Sequence, residues 1–105
     1  MRTSYLENDL IKLRREFHSQ PELNFDVTET SKKIESILKS SNIEVHNNIG
    51  RTGLVGVIKK GNSNRSIGIR ADMDALPVNE VNTFDYKSKH DGKMHACGHD
   101  GHVTM

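Results

Sequence analysis

Ile67-Gly68-Ile69-Arg70-Ala71-Asp72-Met73-Asp74-Ala75-Leu76-Pro77 is the stretch on which the fold turns. The apolar run Ile67 to Ala71 reads as a strand, and two carboxylates follow at its C-terminal end. In open α/β sheets, ligands bind in the crevice beyond the carboxyl ends of the strands. Asp72 and Asp74 are two residues apart, so in extended backbone both face one crevice. The plainer reading is a surface ion pair between Arg70 and Asp72, with Asp74 capping a turn before Pro77.

Upstream, Leu54-Val55-Gly56-Val57-Ile58 is a dense apolar run and reads as another strand. Gly61-Asn62-Ser63-Asn64 can close a hairpin between it and Ile67–Ala71. Ile43 and Val45 alternate as a short strand, and Asn47-Asn48-Ile49-Gly50 is a turn signal. Nearer the N-terminus the period becomes helical. Leu6, Leu10, Leu13 and Phe17 predict a helix over 5–19, opened by the capping box Ser4-x-x-Glu7 and stopped by Pro21. Thr30, Ile34, Ile37 and Leu38 predict a second helix over 27–40, with Asp26-x-x-Glu29 as its start signal. Two helices followed by strands imply an α/β or α+β layer.

Downstream of Pro77 the chain is polar and irregular until His95-Ala96-Cys97-Gly98-His99-Asp100-Gly101-His102. Imidazole nitrogen and thiolate sulfur are ligands for zinc and similar metals. In an extended segment Cys97 and His99 point the same way, with Cα atoms roughly 6.5 Å apart, and His95 shares their parity. A lone histidine near a turn is more often an ordinary hydrogen-bonded group, and a lone cysteine more often a small buried hydrophobe. The joint pattern is harder to dismiss as ordinary, although its spacing is not that of a standard zinc finger. His102-Val103-Thr104-Met105 reads as the opening of a helix with no stop signal, which leads to the expectation of a truncated chain.

The 105 residues allow one small domain, and 33% hydrophobic with 28% charged residues is a folded, soluble composition. A well-mixed net charge of +1 gives no reason to expect nucleic acid or a membrane surface as partner. No apolar run approaches the ~20 residues of a membrane span, and the N-terminus shows no secretory signal. One cysteine excludes an internal disulfide, and a reducing cytoplasm is the expected compartment.

Four blocks occur in order: Arg14 to Leu23, Arg51-Thr52-Gly53, Arg70 to Pro77, and Met94 to His102. Together they resemble the metal-dependent amidohydrolases of the aminoacylase/carboxypeptidase group. That group includes hippurate hydrolase, N-acetyldiaminopimelate deacetylase and auxin-conjugate hydrolases. The resemblance implies an α/β, zinc-peptidase-like (aminopeptidase/phosphorylase-like) catalytic domain. Residues 1–105 would be its N-terminal portion, an incomplete mixed sheet with two N-terminal helices. The inserted lid or dimerisation domain and the C-terminal half of the catalytic domain would lie outside the chain.

The resemblance further implies two divalent ions per intact site (zinc, manganese, cobalt or nickel) and an N-acyl amino acid as substrate. It also implies homo-oligomers through the inserted domain. Cys97 and His99 match the family's metal ligands. Asp72, then Asp74, match its catalytic or metal-orienting aspartate. His95, His102 and Asp100 are weaker candidates for further ligation or for orienting a ligand. His18 and Glu22 are expected to fix a helix terminus. The family's glutamate base and remaining ligands would follow downstream, so this chain alone is expected to be inactive. Two alternatives stand beside this reading. One is a stand-alone metal module using His95, Cys97, His99 and His102; the other is a non-functional remnant.

Overall fold

The computed structural model describes residues 2–105, with side chains from residue 6 onward. Helix α1 runs Arg2–Ser19, so the predicted start at 5 comes three residues late. The Ser4 end of the predicted capping box lies outside the described side chains. Of the predicted stripe, Phe17 is buried while Leu6 is 58% exposed. The helix closes as the Ser19 hydroxyl donates to the Glu16 carbonyl (2.9 Å) and the Gln20 amide donates to the Phe17 carbonyl (3.1 Å). Pro21 then bars a further turn.

Helix α2 spans Thr28–Ser40. Its expected cap at Asp26 is not used. Val27 occupies the N-cap position with no side-chain bond, and Glu22 does the capping from a distance. The Glu22 carboxylate accepts the Thr30 amide (2.6 Å), the Thr30 hydroxyl (2.6 Å) and the Glu29 amide (3.2 Å). A carboxylate there also meets the positive end of the helix dipole. Glu22 therefore does fix a helix terminus, that of α2. Lys33 on α2 pairs with Glu16 of α1 and lies 5.7 Å over the Phe17 ring, joining the two helices.

Strands β1 (Glu44–Ile49) and β2 (Gly53–Val57) form an antiparallel hairpin packed against α2. The fit is close: a Cβ added at Gly56 would lie 3.2 Å from Leu38 Cδ1. The Asn47-Asn48 turn signal belongs instead to an irregularity inside β1, where the register shifts between His46 and Ile49. Asn48 sits there at φ 56°, a conformation asparagine tolerates better than most residues. The chain reverses at 50–52.

The predicted third strand at 67–71 does not form. No ladder reaches it among the described residues, and Ile67 and Ile69 are 91% and 94% exposed. A β-branched run has the local preference for a strand but needs a paired neighbour to become one. Among the described residues, parallel pairing enters only as an isolated bridge between Leu23 and Ala75. The sheet is thus a two-stranded part of an α/β domain.

The remaining chain is pinned point by point. The Ala75 amide donates to the Glu22 carbonyl (2.8 Å), Leu76 and Met94 exchange backbone bonds (2.9 and 3.0 Å), and the Lys89 amide reaches Ser19 (2.9 Å). Phe84 stacks on Tyr86 at 3.9 Å between centroids, and Arg15 lies over Tyr86. Helix α3, His99–Thr104, packs on α1. It starts three residues before the predicted position. Among the described residues the buried apolar side chains are Phe17, Pro21, Val27 and Ala75, against buried polar His18, Ser19, Thr30, Ser31, His95 and Asp100.

Candidate metal centre

Asp72, Asp74 and His99 each offer one ligand atom, and these atoms lie within 4.8 Å of one another. They are the one such group of three among the described residues. The carboxylates come from the irregular segment after Ala71, and His99 opens α3. Gly98 makes that turn possible at φ 103°, a backbone region that side chains rarely adopt.

The His99 ring is held on one side. Nδ1 lies 3.0 Å from Asp74 Oδ1 and 3.0 Å from the Asp74 carbonyl oxygen. Both partners only accept, so Nδ1 carries the proton and donates. In the neutral ring this leaves the Nε2 lone pair free, facing Asp72, whose Oδ2 is 4.0 Å away. A carboxylate fixing one imidazole nitrogen while the other stays free is the usual preparation of a histidine metal ligand. Arg70 pairs with Asp72 at 2.8 Å, so the ion pair of the plainer reading is present alongside the cluster.

The other sequence candidates are placed differently. Cys97 is exposed and lies outside the cluster. The extended parity that would align it with His99 does not hold, because His99 already belongs to a helix. His102 is exposed on α3, its ring 6.1 Å from that of His99. His95 is 97% buried by its 3% exposure, and neither ring nitrogen has a protein partner. Burial pushes its pKa below the ordinary histidine value, against the raising influence of Asp100. The four-residue set His95, Cys97, His99 and His102 is therefore not assembled as one tetrahedral site.

Asp100 does not face the cluster as a free ligand. Its Oδ2 accepts from His18 Nδ1 (2.8 Å) and Arg14 Nε (2.9 Å), and its Oδ1 from the Gly101 amide (2.9 Å). His18, expected to fix a helix end, instead joins Asp100 to Glu80, whose oxygens lie 3.0 and 3.2 Å from Nε2. Burial pushes the Glu80 carboxyl up, but the Ser88 amide, Asn82 and His18 outweigh it and hold it below its ordinary value. Glu80 carries no motif and was not a sequence candidate. The one available hint is that Arg14 and His18 stand four apart on α1, a spacing that puts both on one helical face.

Along the same carboxylates runs a cleft of about 540 Å³, walled by Phe25, Val27, Ile49 and Met73 and floored by Asp72 and Asp74. Thr52 ties its rim together by donating to the Phe25 carbonyl (3.0 Å), and Arg51 stacks on the Phe25 ring.

A sequence profile of the peptidase family M20/M25/M40 matches residues 68–105. Over 99 residues the chain is 52% identical to hippurate hydrolase of Campylobacter jejuni, covering 94% of this chain and 26% of that enzyme. The chain thus resembles the M20 peptidase family. An IAA-amino acid hydrolase of Arabidopsis thaliana is 48% identical over 91% of the chain and 22% of its own length. The crystal structure of a dinuclear metal-binding M20 peptidase from Bacillus subtilis superposes with a TM-score of 0.90 at 42% identity. That match covers 96% of this chain and 29% of the other. The chain thus spans about a quarter of the length of the curated relatives it matches. No helix among the described residues is long and apolar enough to cross a membrane.

Proposed function

We propose that this chain forms the N-terminal portion of a catalytic domain that hydrolyses the amide bond of N-acyl amino acids. The observation that carries the reading is the arrangement of His99, with Nδ1 held by Asp74 and Nε2 free beside Asp72. The donor set fits a divalent ion of the zinc, manganese, cobalt or nickel type: one imidazole nitrogen and carboxylate oxygen, with the Cys97 thiol two residues away in sequence. His99 is assigned as a ligand, Asp72 as ligand or catalytic carboxylate, and Asp74 as the group that sets the His99 tautomer; Cys97, outside the cluster, is kept as a ligand on the family resemblance.

A divalent ion bound there supplies Lewis acidity toward an amide carbonyl. The protein's part is to hold the ligands and present the substrate. The cleft beside Asp72 gives the acyl group an apolar wall at Phe25, Val27 and Ile49. The guanidinium group of Arg70, on the cleft lining, suits the carboxylate of the amino-acid half. The lone exposed Cys97 suits a reducing, cytoplasmic setting.

The test is metal uptake followed by N-benzoylglycine hydrolysis, with the 105-residue chain and with the chain inside a longer reading frame. Uptake that is lost in His99→Ala, with hydrolysis only in the longer protein, is expected. A wild-type chain that takes up neither zinc nor cobalt would sink the assignment.

A further inference from the structure

One buried side chain joins two distant parts of the chain and touches neither the metal cluster nor the cleft. It is His18, at the last turn of α1, with 2% exposure. Its Nδ1 lies 2.8 Å from Asp100 Oδ2, and its Nε2 lies 3.0 Å from the Glu80 carboxylate. Arg14, one turn earlier on the same face of α1, donates from Nε to the same Asp100 oxygen at 2.9 Å. Two groups of one helix thus grip a single carboxylate that is 1% exposed.

Asp100 is the residue after His99, and the two open α3. That helix has six residues and no side-chain cap. Helices this short do not hold themselves together in water, so tertiary contacts must fix their position. The deepest contact α3 makes is through Asp100. Its anchor is directional as well as close, because each hydrogen bond constrains an angle that an apolar contact would leave free. Asp74 then decides only how the His99 ring turns, since the position of its Cα follows from α3.

We infer that His18 is a positioning residue for the metal ligand His99, acting through Asp100 and the first turn of α3. The inference rests on the reading of His99 as a ligand. It separates the two nitrogens of His18. The Nδ1 contact sets the geometry of the metal centre. The Nε2 contact holds the segment around Glu80 and has no bearing on His99.

That separation supplies the experiment. The amide nitrogen of Asn overlays Nδ1 of His, and that of Gln overlays Nε2. His18→Asn therefore keeps a donor toward Asp100 and loses the one toward Glu80, while His18→Gln does the reverse. Cobalt(II) affinity and its visible absorption spectrum would be measured on the 105-residue chain, with urea stability alongside. His18→Gln is expected to weaken cobalt binding about 10–100-fold and to change the absorption bands. His18→Asn is expected to keep wild-type affinity and spectrum, although both variants lose stability.

Equal weakening in the two variants, or none in either, would overturn the inference while leaving His99 a ligand. Loss of cobalt uptake by the wild type would overturn both. Should either His18 variant fail to fold, Arg14→Gln decides the matter. Arg14 is partly exposed, so its loss leaves the fold standing, and a several-fold weaker cobalt affinity is expected. An unchanged affinity in Arg14→Gln would count against the whole Asp100 anchor.

Discussion

Nδ1 of His99 stands 3.0 Å from Oδ1 of Asp74, a residue twenty-five positions earlier in the chain. This one contact joins the two sequence blocks that carry the chemistry, and it fixes which imidazole nitrogen is left for a ligand. Asp74→Asn removes the charge while keeping the shape and the backbone carbonyl contact. Affinity for cobalt or zinc should fall about 10–100-fold with the fold intact. Competition titration against a metal indicator reads the change. Unaltered affinity would transfer the orienting role to the Asp74 carbonyl alone.

Phe17 carries a large share of a small apolar core. Phe17→Ala should cost about 3–5 kcal/mol in urea unfolding. Leu6 lies on the same predicted stripe but is 58% exposed, so Leu6→Ala should stay within about 0.5 kcal/mol. Comparable losses for the two would mean that the stripe is buried along its whole length in solution.

Glu80 ionises more readily in the folded chain than in the unfolded one. Its contribution to stability is therefore present above the ordinary carboxylate range and is lost as pH falls through its lower folded value. Urea midpoints measured between about pH 6 and pH 3 should drop toward acid, and Glu80→Gln should flatten that drop. The same acid slope in the variant would show that other carboxylates carry it.

Gly98 precedes α3 at φ 103°, and a Cβ there would meet only His102 atoms at 3.8 Å, an ordinary contact. The cost of Gly98→Ala is thus a backbone cost, about 1–3 kcal/mol. Thermal melts would register it. Metal affinity should fall as well, because the turn sets where His99 begins.

Local periodicity made α1 and α2 legible to within a few residues, since both are read from spacing that lies inside the element itself. The strand at 67–71 was misread for the opposite reason: its apolar alternation is real, but a ladder depends on a neighbour that no local pattern reports. The turn signal at 47–50 came early: its asparagines sit in an irregularity of β1 and its Gly50 belongs to the reversal, because a bulge and a turn draw on the same residues. At the site, the resemblance picked out His99, Asp72 and Asp74, which the structure brings together. Cys97 was aligned with His99 on the assumption of extended backbone, and the early start of α3 removed that alignment. Glu80 and the grip of Arg14 and His18 on Asp100 span 62 to 82 residues or more in sequence, and spacing rules do not reach that far.

Among the described residues the interior buries more polar side chains than apolar ones. Hydration of exposed apolar area is what raises heat capacity on unfolding, and polar area lowers it. This chain should therefore show an increment below the usual ~12–15 cal/mol/K per residue. Its stability curve would be broad and shallow, changing little between cold and warm. A calorimetric trace would then show a wide, low transition, even where every hydrogen bond around His18 is intact.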